Sequence, residues 1–184
     1  MFPYDILKYF CIEKKRGAGL HRKQVRRKEA IKLIENAKLQ KISFKQDKFK
    51  LAEIIELENA SILLLDNIPT LIIFEDGKII PHLQGLGRLT TCPVIVVDKG
   101  AVEHVVKGAD VMIPGVVKHS SFNEGDPVAV VSEEYIAIAV GVAIHSSEKI
   151  KEGKGKIVKN LHRPNDKFFI KPPSPVEPDN FEEK

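Results

Sequence analysis

A chain of 184 residues with 43% apolar and 29% charged side chains can bury the core of one or two small domains, but not of a large catalytic one. Its two cysteines, Cys11 and Cys92, are too few and too far apart for a disulfide scaffold, and its longest apolar run, residues 136–144, is far shorter than the roughly 20 residues a membrane helix needs. The net charge of +4 hides a polarity: residues 1–50 hold fifteen Lys/Arg against five Asp/Glu, whereas the rest holds fourteen against twenty, so one basic surface is expected to face a polyanion, with nucleic acid as the first candidate.

Residues 1–12 are apolar but broken by Asp5 and Lys8, and no small-residue cleavage site follows, so they do not read as a signal peptide. The expectation is a soluble cytoplasmic protein, free of membranes, in which both cysteines pack. From Lys14 to Lys28 eight of fifteen positions are Lys or Arg and none is acidic. Gly17 and Gly19 break this run. Ala30, Leu33, Ile34 and Ala37 then recur at helical spacing, predicting an amphipathic helix over 24–37 with Lys28, Glu29, Lys32, Glu35 and Asn36 on its outer face. Set on that helix, Arg22, Lys23, Arg26 and Arg27 project toward the side of Leu33 and Ala37, one to two turns earlier, and cannot all be core. Cations at a helix N-terminus oppose its dipole by roughly 0.3–1 kcal/mol each. Phosphate is the demand that explains them, and these four are candidate RNA contacts.

From 41 to 83 the pattern turns to strands: Ile42 and Phe44, then Phe49, Leu51 and 53–57, then 62–65 closed by Asp66-Asn67. Residues 71–74 and Ile79-Ile80 flank Asp76-Gly77, which predicts a hairpin with a two-residue turn, and Pro81 limits the second strand. Residues 85–93 are turn-rich and read as a linker; their Gly85-Leu86-Gly87 lacks the third glycine and the helix of a dinucleotide site. Beyond it, strands are expected at 94–97, 110–113, 127–132, 135–145, 156–161 and 167–170, with a helix over 98–107. Many short strands punctuated by Gly and Pro suggest a small barrel. The end, 171–184, holds four prolines and four acids and reads as a solvated tail. The fold class is therefore α+β in two unlike domains, 20–90 and 91–170, between an extension 1–19 and the tail.

Catalytic motifs do not emerge. The chain has no phosphate loop, no Gly-x-Ser-x-Gly elbow and no Cys-x-x-Cys, and its histidines, at 21, 82, 104, 119, 145 and 162, never stand three to five residues apart as many zinc ligands do. His104 and His145 read as surface or packed imidazoles. The reading is a binding protein without enzyme activity, cofactor or metal.

One segment has a single mechanical logic. Asp98 can accept the free amides of a helix beginning near Lys99, Val102, Val105 and Val106 give that helix an apolar face, and Gly108 stands where a helix ends in a left-handed residue. Gly108-Ala109 carries too little side chain to keep a ligand from the backbone. Val97-Asp98-Lys99-Gly100-Ala101 followed by Lys107-Gly108-Ala109-Asp110-Val111-Met112-Ile113-Pro114-Gly115 resembles the signature of PUA domains, an RNA-binding module. Asp126-Pro127-Val128-Ala129-Val130-Val131 and Ala139-Val140-Gly141-Val142-Ala143 are similar to its later strands, so the resemblance spans about 94–170. Upstream, Leu20-His21-Arg22-Lys23 and Glu75-Asp76-Gly77-Lys78-Ile79-Ile80-Pro81 resemble the pre-PUA domain of the malignant T-cell-amplified-sequence (translation machinery-associated) family and its archaeal counterparts.

That resemblance implies a small pre-PUA α/β domain followed by a PUA pseudo-barrel. It also implies contact with the 3′ acceptor end of tRNA and with rRNA of the small ribosomal subunit, during initiation or recycling and beside another factor of that step. By the same analogy Lys107, Gly108, Ala109, Met112, Pro114, Gly115, Lys118 and His119 face RNA, with Met112 on a base and Lys107 on phosphate. The chain has no tryptophan, so stacking falls to other rings or to arginine, and Arg163 near the closing strand is a candidate. Residues 1–19 have no counterpart in the family, and are either a lineage-specific arm or the product of a start placed too far upstream. The alternative function is a targeting module for an RNA-modification enzyme or a ribosome-assembly factor.

Overall fold

The computed structural model describes residues 22–46 and 48–170. The extension 1–19, the tail 171–184, Cys11 and the first part of the basic run lie outside the described residues.

The first helix, α1, runs over Arg27–Leu39 and starts at Arg27 instead of Gln24. Arg22–Gln24 form a strand, β1, antiparallel to β3 (Ala52–Leu57), and the Val25 amide continues the pairing to the Ala52 carbonyl at 3.0 Å. The neighbouring strand takes the backbone donors that an earlier helix start would have used. This corrects the placement of the four cations on one helix: Arg22 and Lys23 lie on β1, where successive side chains point to opposite faces, Arg26 is the cap and Arg27 opens the first turn. Glu29 accepts the Arg26 amide at 3.3 Å, so a carboxylate in the first turn offsets the cations around it.

With β4 (Ala60–Leu65), β5 (Ile68–Phe74) and β6 (Ile79–Pro81), these strands form a sheet in the order β1-β3-β4-β5-β6. Both of its faces are covered, which explains the unbroken apolar run at 62–65. Leu63 and Leu65 pack with Ala30, Ile34 and Ala37 of α1, whereas Ile62 and Leu64 pack with Val140, Val142, Phe168 and Ile170 from the other half of the chain. A two-stranded ribbon of β2 (Ser43–Phe44) and β7 (Thr90–Thr91) ties the turn-rich segment before residue 93 back onto this half, with Leu83 and Leu89 buried. The segment is therefore folded structure and not an extended linker.

The hairpin at 71–81 forms, but its loop is longer than the two-residue turn expected. At 75–77 only Gly77 has positive φ (+82°), the Gly77 amide donates to Phe74 O at 3.0 Å and the Phe74 amide to Lys78 O at 2.9 Å, which describes a three-residue loop with a left-handed glycine. The two-residue turn with both φ values positive lies at Asp66-Asn67, at +48° and +65°. There the Asp66 carboxylate accepts the amides of Lys50 and Leu51 at 2.8 and 2.9 Å, and these two bonds hold its carboxyl below the usual range.

The second half has six strands: β8 (Val94–Val97), β9 (Val111–Met112), β10 (Val116–His119), β11 (Pro127–Ser132), β12 (Ala137–Ala143) and β13 (Lys156–His162). They are ordered β10-β8-β11-β12-β13-β9, with β8 parallel to β11, and the run from β9 through the 3-10 turn Ile113–Gly115 into β10 carries the chain from one edge to the other. The result is a nearly closed pseudo-barrel filled by Ile95, Val97, Val128, Val130, Ile138 and Ile157, and capped by α2 (Lys99–Val106) through Val105. Cys92 is half-buried, and desolvation pushes its thiol up to about 12.

The strand expected at 167–170 is instead a turn. The Asp166 carboxylate gathers the amides of Arg163, Phe168 and Phe169 at 2.9–3.1 Å, and this turn drives Phe168 and Ile170 into the core shared with the first sheet. Two buried histidines meet at that junction. The Gln84 amide donates to His82 Nδ1 at 3.1 Å, so Nε2 bears the proton and donates to Phe168 O at 2.9 Å. The His82 ring lies 4.4 Å from that of His162, whose Nδ1 is 2.9 Å from Asp166. Burial first, and the neighbouring His162 second, lower the His82 pKa to about 3, so its imidazole is neutral. Burial pushes the Asp166 carboxyl up, but the His162 hydrogen bond and charge and the backbone amides outweigh it and keep it low.

Candidate nucleic-acid interface

Helix α2 starts where its sequence predicts, with the Asp98 carboxylate accepting the Ala101 amide at 2.8 Å. It ends in a Schellman arrangement: the Gly108 amide donates to Val105 O at 2.9 Å and the Ala109 amide to His104 O at 3.0 Å. Gly108 has φ +106°, beyond the left-handed helical region and accessible in practice only to glycine.

What holds this loop comes from β13, about fifty residues away in sequence. Asn160 Nδ2 donates to Val105 O at 2.8 Å and to Ala109 O at 3.1 Å, and Arg163 Nη1 donates to Val106 O at 3.3 Å. The Arg163 guanidinium lies against Gly108, with Nε 2.8 Å from the position a Cβ there would occupy. Asp110 accepts the Asn160 amide at 3.1 Å and Lys156 Nζ at 3.0 Å. Burial pushes its carboxyl up, yet Lys156 and that amide prevail and keep it ionised. Lys156 stands opposite Met112 in the β13–β9 register, and Met112 is 45% exposed.

The predicted residues therefore divide. Lys107, Gly108 and Ala109 are exposed at the end of α2, where Arg163 lies against Gly108, while Met112 lies on β9 opposite Lys156. Pro114 and Gly115 belong to the 3-10 turn linked to the other end of the helix. A Cβ on Gly115 would stand 2.8 Å from that of Ala101, and its carbonyl accepts the Asp98 amide at 2.9 Å, so this glycine permits close packing. Lys118 and His119 are exposed on the edge strand β10, where the His119 ring packs edge-on against Phe122 at 6.3 Å. Asn160 and Lys156 were missed, because nothing local marks an Asn and a Lys on a strand as neighbours of a distant helix end.

The cations of the first half also divide. Arg22 donates to Asn67 Oδ1 at 3.3 Å and pairs with Glu53 at 3.7 Å, while the Arg27 guanidinium sits 5.0 Å over the Phe49 ring and donates to Phe49 O at 3.2 Å. Both are tied to the fold. Lys23 and Arg26 are exposed and suited to phosphate.

A model of the PUA domain matches residues 93–164. An uncharacterised protein of Methanocaldococcus jannaschii is 39% identical over 121 residues, covering 64% of this chain and 74% of that protein. A PUA domain from Aeropyrum pernix K1, solved as a tartrate complex, superimposes with a TM-score of 0.66 at 30% identity, covering 80% of this chain and 88% of that one. The chain belongs to the PUA-domain family. Translation machinery-associated protein 20 of Schizosaccharomyces pombe is 30% identical over 108 residues, 51% of this chain and 56% of its own length, which relates this PUA protein to the malignant T-cell-amplified-sequence family. The α+β class with a PUA pseudo-barrel is as the sequence predicts, and RNA binding is the activity the PUA domain brings. Among the described residues, no helix is long and apolar enough to cross a membrane.

Proposed function

We propose that this PUA protein acts in the cytoplasm as a non-catalytic factor of translation. It holds the 3′ acceptor end of tRNA, while its first domain, residues 20–90, docks on rRNA of the small ribosomal subunit during initiation or recycling, next to another factor of that step. The observation that carries the reading is the exposed loop Lys107-Gly108-Ala109 at the end of α2, with the Arg163 guanidinium seated against Gly108 and hydrogen-bonded to Val106 O. Single-stranded RNA is recognised through such surfaces by phosphate, sugar and base-edge contacts, and does not require a deep cavity. The relationship to a protein named for the translation machinery supports the choice of process.

Binding to full-length tRNA and to tRNA trimmed of its terminal CCA tests the acceptor-end assignment. The trimmed form is expected to bind at least about tenfold more weakly, as the loss of one or two good contacts requires. Equal affinities would remove the assignment. Charge reversal of two exposed cations, Lys23→Glu with Arg26→Glu, is expected to lower the slope of log affinity against log salt by about 1.4–1.8, since each neutralised phosphate contributes about 0.7–0.9. The same reversal at Arg27 is expected to lower thermal stability as well, because that side chain also covers Phe49. A salt slope unchanged by the Lys23/Arg26 pair would place the anchor elsewhere.

A further inference from the structure

A helix C-terminus is the wrong end to offer to RNA. Its last carbonyls lack intrahelical partners and it carries roughly half a negative charge, so phosphate is repelled unless something intervenes. In α2 the intervention is built from β13 and the residue that follows it. Asn160 takes the carbonyls of Val105 and Ala109, and Arg163 takes that of Val106. The two amides of the Schellman turn are used inward, on His104 and Val105.

Arg163 does more than cap. A guanidinium has five N–H donors in a rigid fork, and the bond to Val106 O uses one of them. Gly108 has no Cβ, so the guanidinium lies directly against its backbone; any other residue there would intrude on Nε. Asn160 is itself steadied, because Asp110 accepts its amide while pairing with Lys156. The nearby carboxylate therefore carries its own counter-ion.

We infer that Asn160 and Arg163 are a positioning pair that reverses the electrostatic sign of this helix end, and that the outer edge of the Arg163 fork takes a phosphodiester of the bound single strand. The inference rests on the reading of this loop as the RNA site and deepens it. It gives Arg163 a role other than the stacking first expected: with Nη1 on Val106 O and Nε against Gly108, it serves as a phosphate fork.

The test uses the whole chain and a short single-stranded RNA ending in CCA, with affinity measured across a salt series. Arg163→Gln is expected to weaken binding about tenfold and to lower the salt slope by about 0.7, the contribution of one phosphate on a single strand. Arg163→Lys is expected to keep the slope but lose affinity severalfold, since an ammonium cannot hold Val106 O and a phosphate in one plane. Asn160→Ala is expected to weaken binding with the slope unchanged. Melting curves for each variant separate loss of fold from loss of recognition, and Arg163→Lys keeps the test open if Asn160→Ala does not fold. A wild-type slope in Arg163→Gln overturns the inference. So does a defect that vanishes when the terminal nucleotide is abasic, which would make Arg163 a stacking group. Lys107→Gln distinguishes the two levels: if it weakens binding while Arg163→Gln does not, the site stands and the inference falls, and if neither has an effect the site itself falls.

Discussion

Gly108→Ala is expected to destabilise the protein by about 1–3 kcal/mol and to weaken RNA binding by more than tenfold, through two separable causes. The first is backbone strain, because φ +106° is closed to an L-side chain. The second is steric: the new methyl would stand 2.8 Å from Arg163 Nε and must push the guanidinium off its seat. A double-mutant cycle with Arg163→Ala distinguishes them, since removing the guanidinium relieves the collision and leaves the strain. Denaturation curves and RNA titrations on the four proteins of the cycle supply the numbers. Strictly additive effects on both stability and binding would show that the two residues do not work as a unit.

Acid is expected to loosen the junction between the two sheets at a pH well above that of carboxylate titration. The His82 pKa is about 3 in the folded chain against an ordinary 6.5, so between those values the unfolded chain binds a proton that the folded chain refuses. Stability is therefore full above about pH 6.5 and falls as pH drops toward 3, by up to about 1.4 kcal/mol per unit and several kcal/mol in all. The groups facing this imidazole are His162, whose ring is tilted against it, and Asp166, which is held low and loses its own contribution only as pH falls through its folded value, below 3.8. The interval from pH 6.5 to 5 lies above the carboxylate range, so the decline expected there comes from His82. Urea denaturation across that interval should show the decline, and His82→Gln, which can still donate to Phe168 O, should flatten it while lowering stability at pH 7. A variant with an undiminished slope would assign the acid sensitivity to another group.

How much of this was legible in the sequence followed the range of the interactions. The α2 cap at Asp98, the apolar face at Val105 and the stop at Gly108 were all readable, because a helix is defined by contacts three or four residues apart. The hairpins at Asp66-Asn67 and Asp76-Gly77 were visible as turns, but their loop lengths were not. Either dipeptide accepts positive φ, and the register of the paired strands decides which geometry is used. The strand expected at 167–170 failed because a short apolar run such as Phe168-Phe169-Ile170 also suits a turn that buries Phe168 and Ile170.

The sequence by itself determined the charge polarity, the α+β class, the PUA signature and the position of the glycine-ended loop after α2, since these depend on composition and local spacing. Tertiary structure alone decided which cations remain available. β1 pairs with β3 and commits Arg22 to Glu53, Phe49 captures Arg27, and Lys23 and Arg26 are left to solvent. It also decided what surrounds the loop after α2, where Asn160 and Arg163 reach a helix end about fifty residues away, and what joins the halves, where His82 packs against His162. The physical reason is common to all three: a side chain's partner is set by which strands pair, and strand pairing is a property of the whole chain.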